Sequence, residues 1–139
     1  MSNTINTQEL TDTLNKYKIE FEGDSNINEF NLRERQMMLP GIKHKYVSYL
    51  IQHKQKKYEL ESAKKKAIDE LLKQSQPDVG LSVPVLTKKH ENHPTIKKIN
   101  LMIEEQDIII LYLEKIENIT RNMTYDLSNM IKIIELETT

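Results

Sequence analysis

Apolar residues recur along this chain at helical intervals. The sharpest run is Ile99, Met102, Gln106, Ile109, Leu113, Ile116, Thr120, Met123, Leu127, Met130 and Ile134, spaced alternately by three and four. Side chains at that interval stack on one helix face. The run therefore predicts a heptad seam about five heptads long, which suits a coiled coil. Ile103, Ile110 and Ile131 widen the stripe, so the helix is expected to touch more than one neighbour. Gln106 and Thr120 interrupt the seam with polar groups. Either they fix register or oligomer order, or they are polar layers that the packing tolerates.

An earlier stretch carries a second stripe. With Lys43 set to zero and about 100° per residue, Ile42, Tyr46, Tyr49, Leu60, Ala67 and Leu71 centre near ~260°, with His53 among them. Proline and glycine punctuate the pattern. Pro40 and Gly41 precede one stretch that lacks both residues, and Pro94 opens another. Proline suits a helix start, where its missing N–H would have no partner anyway. Two long helices are predicted, about 40–74 and 94–136, with a short helix over Thr7–Tyr17 ahead of the polar break at Gly23. Between the long helices, "LSVPVL" is expected to be extended loop rather than strand. The predicted fold class is all-α, a single helical domain over 1–139. It comprises an N-terminal segment 1–39 with the short helix, a basic helix 40–74, a Pro-containing loop 75–93 and an oligomerising helix 94–139.

Composition changes the picture in one respect. Only 37% of the 139 residues are hydrophobic and 29% are charged, less apolar material than a compact globule of this size usually carries. Elongated helices that complete their core against copies of themselves need less, so a coiled-coil-like homo-oligomer is expected. Ile109, Leu113, Ile116, Met123, Leu127 and Met130 would form its interface. The absence of cysteine excludes disulfides, thiolate metal sites and a cysteine nucleophile. "MSNTINTQEL" has neither a basic n-region nor an apolar h-region, which predicts no signal peptide. The longest apolar run, Ile108–Leu113, is far short of a membrane span. A soluble intracellular protein with no membrane partner is expected.

The net charge of −1 conceals segregation. Residues 41–73 hold nine basic and four acidic side chains, residues 74–100 four and two, and residues 101–139 three and eight. On the wheel, Lys43, Lys54, Lys57, Lys64 and Lys65 fall within about 100° of one another over some 33 Å of helix. Glu61 sits in their midst, and Lys66 and Lys73 lie off the stripe. Such a stripe is either a solvated helix face or a track for phosphates that releases counterions on binding. Tyr58 lies beside it on the solvent side, where a base can stack. Tyr46 and Tyr49 are within reach too, but their place on the apolar face points to core packing.

Other chemistry is poorly represented. "HENH" (His90–His93) has no third ligand at a metal-site distance, so no metal is expected. Three glycines leave little room for a phosphate-cradling loop, and no serine sits in a nucleophile elbow. "NIT" and "NMT" match glycosylation acceptors but fall mid-helix. Neither an enzyme nor a cofactor is expected.

"LPGIKHKYVSYLIQHK" (Leu39–Lys54) resembles the start of the long helix in UvsY-type recombination mediator proteins of T-even-like bacteriophages. There a proline is followed by a His-Lys-Tyr-like element and an aromatic-Leu step. "ILYLEKIENITRNMTYDLSNMIKI" (Ile110–Ile133) resembles their C-terminal helix, with counterparts to Tyr112-Leu113-Glu114, Ile116, Ile119, Arg121 and Ile131. The resemblance runs from Glu29 to the C-terminus, about four-fifths of the chain. It implies a small all-α protein that assembles into a homo-oligomeric ring in the cytoplasm of an infected host cell. Such a protein binds single-stranded DNA and helps a RecA-like recombinase displace the single-strand-binding protein. It also implies DNA contacts late in the first long helix, where Lys64, Lys65, Lys66 and Lys73 repeat the charge pattern without an arginine. The rival expectation is a coiled-coil scaffold or chaperone-like adaptor that binds no DNA and uses its lysines for solubility.

Overall fold

A computed structural model describes residues 6–74 and 83–138. They form four helices: α1 (Thr7–Asp24), α2 (Leu32–Gln74), α3 (Val83–His90) and α4 (Pro94–Glu137). No strand occurs among the described residues. The two long helices have 43 and 44 residues, about 65 Å each at 1.5 Å per residue. They pack antiparallel: Lys43, Lys54 and Lys57 on α2 meet Thr124, Glu114 and Asp107 on α4, so one series rises as the other falls. α1 lies against this hairpin, antiparallel to α2. Tyr17 stacks near Tyr49 and His53, and Phe21 meets Tyr46 edge-on at 5.3 Å between centroids.

Local chemistry accounts for most of the helix ends. The Asn6 side chain caps α1 by accepting from the Glu9 N–H at 3.2 Å. α1 runs seven residues past the expected Tyr17, because Phe21 continues the buried stripe of Leu10, Leu14 and Tyr17. It stops where the Ser25 N–H and Oγ both bond the Phe21 carbonyl. The following loop is tied by asparagines: Asn28 Oδ1 accepts from Phe30 N, and Asn31 Nδ2 donates to the Asn26 carbonyl. α4 starts at Pro94 as expected, capped by His93, whose Nδ1 accepts from Thr95 N at 3.2 Å.

Two local expectations fail. Pro40 does not begin α2 but sits inside it, eight residues after Leu32. Its ring removes one backbone bond, yet Leu32, Leu39, Ile42, Tyr46 and Leu50 form one buried stripe across it. Pro40 and Gln36 face solvent, so water can reach the orphaned Gln36 carbonyl. Burial wins over the local preference. Likewise, Val83–His90 is helix rather than extended loop, with Pro84 tolerated in its first turn. Of the rest of the expected loop, 91–93 is non-helical and 75–82 lies outside the described residues.

The largest correction concerns the seam. Ile109, Leu113, Ile116, Met123 and Leu127 are all buried within the single chain, Leu113 and Leu127 completely, and Met130 packs half-buried against the same core. Their partners include Leu39, Ile42, Tyr46 and Leu50 of α2. The surface expected to join separate copies is therefore used by the chain's own hairpin. The extra width of the stripe serves the same end, since α4 touches both α2 and α1.

The two polar seam positions resolve differently. Gln106 Oε1 accepts from His53 Nδ1 at 2.7 Å, and His53 Nε2 meets the Tyr17 hydroxyl at 2.8 Å. Because a carboxamide oxygen only accepts, Nδ1 carries the proton, and in the neutral ring Nε2 accepts from Tyr17. One bonded layer thus ties α1, α2 and α4 and penalises any slip between them. Thr120 simply returns its Oγ1 hydrogen bond to the Glu117 carbonyl at 2.8 Å.

Candidate nucleic-acid interface

The hairpin brings the C-terminal half of α2 alongside α3 and the start of α4. Residues 54–74 and 83–100 together hold eleven lysines against five carboxylates. Beyond them, residues 101–138 carry eight acidic and three basic side chains, and α1 carries five and two. Chain reversal thus turns a segmental imbalance into a fold with one basic end.

Within that distribution, the lysines of the predicted stripe divide into two groups. Lys43 donates to Thr124 Oγ1 at 2.6 Å. Lys54 pairs with Glu114 at 3.7 Å, and Lys57 pairs with Asp107 at 2.6 Å and with Glu61 at 3.9 Å. The Asp107 carboxylate holds the Lys57 ammonium above its ordinary pKa. These three side chains face α4, because the stripe borders the apolar face that α4 covers. Lys64, Lys65, Lys66 and Lys73 hold no salt bridge among the described residues; Lys64 is half-buried and the other three are exposed. Tyr58 is 69% exposed next to them.

Tyr46 and Tyr49 belong to the α1 contact. Tyr46 is 1% exposed, and its hydroxyl donates to Asp24 Oδ2 at 2.8 Å. Burial, with the Asp24 bond added, pushes its pKa far above the usual phenol value. Tyr49 donates to Glu20 Oε1 at 2.9 Å, and that bond together with burial raises its pKa too. Neither ring is placed to stack on a base.

Several cations missing from the sequence-level site now matter. Lys56, Lys88, Lys89, Lys97 and Lys98 all lie in the basic end. For the last four, the charge excess of residues 74–100 was the available signal, and their nearness to α2 depends on the chain reversal. Lys45 plays a different part. It pairs with Glu20 at 3.0 Å and with Asp24, so it clamps α1 to α2. No helix among the described residues is long and apolar enough to cross a membrane.

Against this geometry, no protein-family model, curated protein or solved structure matches the chain.

Proposed function

We propose that this protein is a non-enzymatic recombination mediator that binds single-stranded DNA through its basic end. The observation that carries this reading is the set Lys64, Lys65, Lys66 and Lys73. They are ammonium groups that hold no salt bridge among the described residues, on the same helix as the exposed Tyr58 and at the end of the fold that also carries Lys88, Lys89, Lys97 and Lys98. A strand is held there through its phosphates, which carry no sequence information. The resemblance of Leu39–Lys54 and Ile110–Ile133 to UvsY-type mediators supplies the rest. On that basis the protein loads a RecA-like recombinase onto DNA covered by single-strand-binding protein, in the cytoplasm of an infected cell. Copies assemble into a ring through the outward face of α4, where Ile108, Leu111, Ile119 and Ile133 remain exposed. The inner seam is already occupied.

Labelled oligo-dT titrated over a salt series tests the reading. Binding should weaken with salt at a slope of about −0.7 per phosphate contacted. Joint replacement of Lys64, Lys65, Lys66 and Lys73 by Gln should lower affinity at least tenfold at low salt. The same change at Lys54 and Lys57, already neutralised by Glu114 and Asp107, should cost under threefold. Absence of binding at low salt, or binding indifferent to salt, ends the proposal.

The scaffold reading has one observation in its favour. Three of the five aligned lysines, Lys43, Lys54 and Lys57, are committed to α4 within the chain. A scaffold would retain all its interactions when Lys64, Lys65, Lys66 and Lys73 become Gln.

A further inference from the structure

Where α1 begins, its first residues join α2 and α4 in walling a cavity of about 470 Å³. The size is ordinary for a small-molecule site; the mixture of groups around it is more telling. Leu60, Leu101 and Met102 supply apolar surface from both long helices, and Met102 is 38% exposed. Lys56 and Lys98 bring two ammonium groups from opposite helices, and neither holds a salt bridge among the described residues. Glu105 accepts from the Asn6 N–H at 2.8 Å, and Glu9 accepts from Asn6 Nδ2 at 3.2 Å, so both carboxylates are drawn toward the start of α1. Lys98 lies seven residues before Glu105, about 10 Å of helix rise. The cavity therefore has Lys98 toward one end and Glu105 with Gln106 toward the other, and Lys56 lies near the latter, three residues from His53.

Gln106 also lines this space. Its Oε1 is taken by His53, whereas its Nε2 has no protein partner among the described residues. Arg35 Nε is the one side-chain polar atom there that is both shut away from solvent and unbonded. The Gln106 amide donors therefore keep access to the cavity.

A bare anion would leave the apolar walls unused, and a fatty acid would leave the amide and the two carboxylates unmatched. A nucleotide uses apolar, cationic and acceptor groups together. Its flat base fits between aliphatic walls, its edge carries both donors and acceptors, and its phosphate answers Lys98. We propose that the cavity takes one unstacked nucleotide of the bound strand, its phosphate on Lys98 and its base edge on Gln106 and Glu105. Bases with an exocyclic amine suit the carboxylate better than thymine does. This inference rests on the single-strand reading above and adds to it a defined pocket off the phosphate track.

The test titrates the full chain into a labelled oligo-dA carrying one internal 2-aminopurine, with anisotropy and 2-aminopurine emission read together. Stacked in oligo-dA the probe is dark; transferred between aliphatic side chains it should brighten at least threefold as anisotropy saturates. Met102→Trp fills the cavity from a partly exposed position and should abolish the rise while anisotropy still saturates. Lys98→Gln, a surface change that spares the fold, should raise the concentration for half-maximal brightening about threefold. Saturation of anisotropy without brightening, or brightening undiminished in Met102→Trp, overturns the pocket and leaves strand binding intact. If anisotropy does not change at all, the single-strand reading fails. Free dAMP then decides the pocket: shifts of the Gln106 side-chain amide in an NMR titration uphold it, and their absence removes it.

Discussion

Leu113→Ala separates a seam used within the chain from one used between chains. Leu113 is fully buried, so truncation loses three carbon groups at about 0.8 kcal/mol each, about 2.4 kcal/mol before any cavity forms. A helix packed on both neighbours collapses little around the gap, and the total should be about 3 kcal/mol. With a urea m-value of about 2 kcal/mol/M for a chain of this size, the midpoint should fall by roughly 1.5 M. Ile51→Ala, a truncation of similar size at a position of α2 that is 58% exposed, should shift it by no more than about 0.3 M, since surface truncations stay within about 0.5 kcal/mol. Both would be followed by helical circular dichroism at two protein concentrations tenfold apart. An intrachain core gives the same Leu113→Ala shift at both concentrations, whereas a core shared between copies makes the loss concentration-dependent. Equal effects of the two substitutions, or a Leu113→Ala shift that changes with concentration, would refute the packing described here.

Other consequences are simpler to state. Gly41 lies mid-helix with nothing within 4 Å of an added Cβ, so Gly41→Ala should stabilise by about 1 kcal/mol in a thermal melt. A loss would mean that α2 is not continuous through Pro40. At alkaline pH the fold should weaken. Burial raises Tyr17 and Tyr46, the Glu20 bond raises Tyr49, and for Lys45 the bonds to Asp24 and Glu20 outweigh burial's downward pull and raise it as well. Each group keeps its proton longer when folded, so stability present below about pH 10 is lost as pH rises further. Urea midpoints from pH 8 to 11 should show this decline, and Tyr46→Phe should make it shallower. Finally, a double-mutant cycle on His53→Ala and Gln106→Ala should give a coupling of about 1 kcal/mol; additivity would deny the bonded layer.

The chain's local patterns determined a good deal. Ile99 to Ile134 at intervals of three and four could only be helix, and Pro94 behind His93 marked its start, because periodicity and capping are properties of neighbouring residues. The segregation of lysines into the middle of the chain was equally legible. What met the seam was not. Leu113 asks for an apolar partner but cannot say whether that partner is a copy or residues some seventy positions back. The closing of the hairpin set the whole seam against the α2 stripe of Leu39, Ile42, Tyr46 and Leu50. The same fold-back paired Lys54 with Glu114 and Lys57 with Asp107, while Lys65, Lys66 and Lys73 stayed exposed. It also set Gln106 against His53 and opened the cavity beside them. Pro40 shows the same order of strength, since a residue that locally ends helices was overruled by a buried stripe on either side of it. Local rules fix what a segment can be, while burial between distant segments fixes what it touches, and the chemistry of a site lies in the contacts.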